Sequence, residues 1–184
     1  MSVFEFTKSK EFVQYAEAAM CVFFGLSPAK FYPNGTRITT HDAVTQKGEM
    51  IEIKGEGYTF DKSKNFFFEK TSNEETGTLG GPWRAQRDNI HRIIYYWPKE
   101  RHFWVWNPKQ LVAALDEEIK HLTPKRMENK GRAGKNYFTL GYAVPREKVE
   151  HKPLCLQKGI IPKEWFDEHS WNVEEKFKRL QEDG

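Results

Sequence analysis

The sequence predicts an α/β domain in which a mixed central β-sheet is flanked by helices. An amphipathic helical stretch opens the chain, strand-type segments separated by Gly and Pro turns fill its middle, and helical periodicity returns after them. At 184 residues the chain can build one domain with a substantial core. No internal repeat or low-complexity linker divides it, so a single domain over residues 1–184 is expected.

The first helix is expected over residues 9–25. Ser9 is its N-cap, Phe12, Ala16, Ala19 and Phe23 recur at helical spacing, and Gly25 follows the end. Glu17 stands on the edge of the apolar face, beside Val13 and Cys21 one turn away on either side. Pro33-Asn34-Gly35 is a turn signal, and β-branched residues from Thr36 to Val44 predict a first strand. Gln46-Lys47-Gly48 turns the chain, and Glu49 to Lys54 returns as a second strand. A third strand runs from Asn65 to Thr71. Ser72 to Arg87 reads as a loop, with a short helix near Trp83–Arg87. Ile90–Trp97 and Arg101–Trp106, joined by Pro98-Lys99-Glu100, read as a hairpin. Asn107-Pro108 then opens a helix carrying Leu111, Ala114, Leu115, Ile119 and Leu122. Asn136–Val144 reads as the last strand, and the tail from Ile161 is helix-like and of mixed charge.

Composition excludes several classes. No stretch reaches the roughly 18–20 apolar residues that span a bilayer. The start of the chain lacks a basic segment followed by an apolar run, so no secretory leader is expected. Cys21 and Cys155 lie far apart without a metal-ligand spacing, which reads as two buried thiols in a reducing compartment. A cytoplasmic protein, or a phage-encoded intracellular one, fits. The net charge of +3 names no partner, but its distribution is uneven. Lys120, His121, Lys125, Arg126, Lys130, Arg132 and Lys135 are opposed locally by Glu128 alone. Such a run suits a polyanion, and equally a solvated loop of lysines.

The chemistry gathers on the first two strands. Side chains alternate along a strand, so Glu52 and Lys54 share a face, about 7 Å apart. Nine residues separate Asp42 from Glu52, enough for a turn that returns the two as cross-strand neighbours. Two converging carboxylates repel unless a cation sits between them, and a hard divalent ion with retained waters is the expected solution. A nearby amine orients a water or stabilises charge on a phosphorane oxygen. With no side-chain nucleophile in the set, attack by water on a phosphodiester is implied.

Asp42, nine residues, then Glu52-x-Lys54 resembles the core motif of the PD-(D/E)XK nuclease superfamily, which includes restriction enzymes, resolvases and homing endonucleases. The likeness spans about residues 9–145, leaving 146–184 as a C-terminal extension. The proline that often precedes the aspartate is His41 here. The resemblance implies a restriction-endonuclease-like fold, a Mg²⁺ cofactor replaceable by Mn²⁺, double-stranded or branched DNA as substrate, and a homodimer. It implies Asp42 and Glu52 as metal ligands, Lys54 as the water-orienting cation, Glu17 as a further metal-shell acid and Glu69 as a supporting acid. Both glutamates also have plain structural readings: Glu17 as the polar edge of a helix, Glu69 as a solvated strand end. The run Gly80-Gly81-Pro82-Trp83-Arg84 permits close backbone approach. Its Trp83 and Arg84 either meet a base and a phosphate or form a turn with one anchoring tryptophan. Lys125, Arg126, Lys130, Arg132 and Lys135, with Gly131 and Gly134, look like a mobile basic link suited to a DNA backbone. The alternatives are a non-catalytic nucleic-acid-binding domain that keeps the nuclease fold, and a protein-interaction domain.

Overall fold

A computed structural model describes residues 10–28, 41–55, 64–130 and 136–182. The elements in chain order are α1 (Lys10–Phe24), β1 (Ser27–Pro28), β2 (Ala43–Val44), β3 (Met50–Gly55), β4 (Asn65–Asn73), β5 (Thr78–Leu79) and α2 (Gly81–Arg87). They continue with β6 (Arg92–Trp97), β7 (His102–Trp106), α3 (Pro108–Glu118), β8 (Lys125–Lys130), β9 (Asn136–Pro145), β10 (Cys155–Ile160) and α4 (Lys163–Glu182). The expected cap Ser9 and the expected strand residues 36–40 lie outside the described residues.

A mixed sheet flanked by helices is present: six strands in the order β1-β2-β3-β6-β7-β10. Only β3 and β6 in it run parallel, with Glu52 level with Ile93 and Lys54 with Tyr95. Its two faces bury different clusters. Ile51, Ile53, Ile94, Tyr96, Phe103 and Val105 face α1 and α4. Ile93, Tyr95, Trp97, Trp104 and Trp106 face the other way, toward Phe66, Phe68, α2 and α3. A strand covered on both faces has no polar side to alternate with, which is why β6 and β7 read as near-continuous apolar runs. The expected hairpin and the helix after Asn107 are both present, and Asn107 Oδ1 caps that helix by accepting the Gln110 N–H at 3.2 Å.

Three expectations are corrected by long-range pairing. The Phe66-Phe67-Phe68 strand does not join the sheet of β3. It belongs to a second, four-stranded sheet in the order β5-β4-β9-β8, where Phe66 pairs with Val144 and Phe68 with Tyr142. Its aromatic side packs face-on against the first sheet: the Phe66 ring lies 5.1–5.9 Å from those of Trp104, Trp106, Trp97 and Tyr95. Residues 125–130 are not a free link but strand β8, paired with β9 from Lys125–Gly141 to Lys130–Asn136. The chain's last strand is β10 rather than 136–144. It forms the sheet edge beside β7, with Leu156, Gln157 and Lys158 exposed, so no apolar alternation announces it.

The C-terminal helix is built into the core. Val173 and Leu180 of α4 are fully buried with α1, Tyr15 meets Phe177 edge-on at 6.0 Å, and Gln14 Nε2 donates to the Leu180 carbonyl at 2.8 Å. Among the described residues no helix is long and apolar enough to cross a membrane. Leu180→Ala leaves a cavity between α1 and α4 and is expected to cost about 2–4 kcal/mol in urea denaturation. An unchanged midpoint would mean that the tail does not contribute to the core.

Candidate active site

The turn after β2 sets where Asp42 stands. The Thr45 N–H donates to the Glu49 carbonyl at 3.0 Å, and Thr45 Oγ1 accepts the Glu49 N–H at 3.1 Å. This closes the hairpin with Val44 opposite Met50 and Ala43 opposite Ile51. The residue before β2, Asp42, lies along the flank of β3. Its N–H donates to the Ile51 carbonyl at 2.9 Å, and its Oδ2 accepts the Ile53 N–H at 2.6 Å. The bond to Ile53 is charge-assisted and short, at a residue only 4% exposed. Asp42 is thus bonded to the backbone on both sides of Glu52.

Ile51 and Ile53 point into the α1 cluster, and Glu52 and Lys54 project from the opposite face. Each meets a partner of opposite charge there. Glu52 Oε1 accepts from Arg84 Nη2, with the Glu52 side chain 12% and the Arg84 side chain 37% exposed. Lys54 Nζ stands 3.6 Å from Glu69 Oε1.

Arg84 is aimed by the Gly80-Gly81-Pro82-Trp83 run. A Cβ on Gly80 would lie 2.9 Å from both the Cβ and the carbonyl oxygen of Glu69, and Gly81 takes a φ of +36° beside that same carbonyl. Only glycines let the start of α2 press so closely on β4, where the Gly80 N–H donates to the Lys70 carbonyl at 3.0 Å. Pro82 stands in the first turn of the helix, where its missing N–H removes no intrahelical bond. Trp83 is 7% exposed in the aromatic cluster, and its indole N–H donates to Asp116 Oδ1 at 3.0 Å. Lys70 lies 5.5 Å from the ring centroid and 3.7 Å from the same Asp116 oxygen. Of the two readings of this run, the anchoring tryptophan describes Trp83, whose ring is in the core instead of facing a base.

Glu17 is 4% exposed on α1, the helix packed on the Ile51–Ile53 face rather than on the face of Glu52. Its charge reaches Cys21, whose thiol burial pushes up to about 12, with Lys176 opposing the rise and Glu17 adding to it. On β8, Arg126 pairs with Glu74 at 2.5 Å and lays its guanidinium 3.4 Å over the Phe138 ring, while Lys125 is exposed. Lys130 ends β8; Arg132 and Lys135 lie outside the described residues. Among the described residues no group of three or more His, Cys, Asp or Glu side chains gathers as a metal cluster. The contact between Arg84 and Glu52 was not legible in advance. The one signal for it was the Gly-Gly pair ahead of Pro-Trp-Arg.

Neither protein-family models, nor curated proteins, nor solved structures provide a match to this chain.

Asp42→Ala removes the acceptor of a buried N–H and is expected to destabilise by about 1–3 kcal/mol, with Asp42→Asn losing less because an amide oxygen can replace the carboxylate. Equal stability of wild type and Asp42→Ala in chemical denaturation would show that the Ile53 bond is dispensable.

Proposed function

We propose that the chain is a metal-dependent nuclease of the PD-(D/E)XK type, hydrolysing DNA phosphodiester bonds with water as the nucleophile. The observation that carries this reading is the attachment of Asp42 to β3 on both sides of Glu52, with Lys54 two residues on along the same face. Two carboxylates offer hard oxygens, the donor type that suits Mg²⁺ or Mn²⁺, and Mg²⁺ is commonly held by one or two carboxylates with several waters retained. Asp42 and Glu52 would hold the ion, with Glu69 beside Lys54 as a supporting acid; Glu17, on the opposite face of the sheet, is not part of this set. When bound there, the ion supplies a water of lowered pKa and offsets charge on the scissile phosphate.

The chain's own side chains do the rest. Lys54 orients the attacking water or meets charge growing on a phosphate oxygen. Glu69, at 3.6 Å, directs that amine. Arg84 at the site and Lys125, Arg126, Lys130, Arg132 and Lys135 beyond it are the proposed contacts to the DNA backbone. Duplex or branched DNA is the proposed substrate, in an intracellular setting. A homodimer would bring two sites to two strands.

One observation favours a second reading, a non-catalytic nucleic-acid-binding domain that keeps the fold. Glu52 is already matched by Arg84 and Lys54 by Glu69, and a charge set neutralised in this way needs no cation.

Plasmid nicking in Mg²⁺ separates the two. Asp42→Asn, Glu52→Gln and Lys54→Met are each expected to lower the rate about 100-fold or more, with folding retained by circular dichroism. Nicking by these variants at the wild-type rate would exclude the site as the catalytic centre. DNA binding without divalent-ion uptake in calorimetry would support the non-catalytic reading.

A further inference from the structure

Arg84 combines a packed base with a partly exposed tip. Its backbone is held by Trp83 in the core and by the two glycines against Glu69, whereas its side chain is 37% exposed at the rim of the site. The carboxylate it holds, Glu52, is far less exposed at 12%, so the guanidinium lies on the solvent side of the pair. A divalent cation at Glu52 and a guanidinium at the same carboxylate compete for one anion and repel each other. Once displaced, a guanidinium on a short fixed helix has a second use. It presents a planar fork of donors that matches two oxygens of a phosphate.

We infer that Arg84 is the resident counter-ion of Glu52, exchanged for the divalent cation when the site is loaded and thereby released to bind a non-bridging phosphate oxygen of the substrate. This rests on the nuclease reading and adds to it a coupling between the two ligands. The cation frees the arginine that the phosphodiester needs, and the phosphodiester keeps that arginine away from the carboxylate the cation needs. The two therefore bind with positive and reciprocal cooperativity.

The first test is calorimetric titration of Mn²⁺ into the full chain without nucleic acid. Arg84→Gln is expected to bind Mn²⁺ roughly fivefold more tightly than wild type, the scale of a partly exposed ion pair. Arg84→Lys, which restores a cation beside Glu52, is expected to return toward the wild-type affinity, and Glu52→Gln to lose binding. A merely structural role for Arg84 predicts weaker binding or none of this charge dependence. Equal or weaker Mn²⁺ binding by Arg84→Gln overturns the inference, while loss of binding in Glu52→Gln leaves the nuclease reading intact. No Mn²⁺ uptake in either wild type or Arg84→Gln overturns both.

The second test measures anisotropy of a labelled DNA duplex in a Lys54→Met background, which keeps both carboxylates and suppresses cleavage. Mn²⁺ is expected to raise DNA affinity, and adding Arg84→Gln to remove that gain, a loss of roughly tenfold with Mn²⁺ present. An undiminished gain in the Arg84→Gln chain overturns the phosphate contact.

Discussion

The wedge of Phe66 among Tyr95, Trp97, Trp104 and Trp106 is the contact on which the arrangement of the molecule depends. It holds the second sheet against the first, and the site is made from both. Glu52 and Lys54 come from the first sheet, Glu69 from the second, and Arg84 from the helix that the second sheet leads into. The Tyr95 hydroxyl donates to the Phe67 carbonyl at 3.2 Å across the same seam, fixing the sliding position of one sheet over the other. Aromatic rings meeting largely edge-to-face have preferred geometries, so this seam sets a position as well as burying area.

Electrostatics at the site follow from that position. Four charged side chains meet where apolar packing gives out, on the face of β3 that Met50 begins in contact with the aromatic cluster and Lys54 ends partly in solvent. Burying any one of them alone would be costly, and pairing Glu52 with Arg84 and Lys54 with Glu69 offsets that cost. Asp42 is tied to backbone: its N–H donates to the Ile51 carbonyl and its Oδ2 accepts the Ile53 N–H beside the short strand β2. A carboxylate held in this way has its position tied to the sheet itself.

Much of the local structure was legible in the residues. The Asn107-Pro108 helix start, the Ile90–Trp106 hairpin, the helical tail and the common face of Glu52 and Lys54 all follow from periodicity and turn chemistry over a few residues. The misreadings share one cause. The Phe-Phe-Phe run looks the same whether it pairs with β3 or with β9, since what decides between them is a partner about 75 residues away. The basic segment 125–130 looked like a linker because its side chains are mostly exposed. Its membership of a sheet comes from backbone bonds to β9, which carry no side-chain signature. Edge strand β10 was missed for the same reason.

The sequence by itself determined the alternation that puts Glu52 and Lys54 on one side of a strand, the turn that returns Asp42 to it, and the glycine pair that permits a close backbone approach. These are properties of a few neighbouring residues with fixed strand and turn geometry. Only the tertiary structure decided that Asp42 bonds to the backbone flanking Glu52, that Trp83 is an anchor, and that Arg84 meets Glu52. Each of those outcomes depends on how segments far apart in the chain pack together, and no local period encodes the direction in which a buried tryptophan will turn its neighbour.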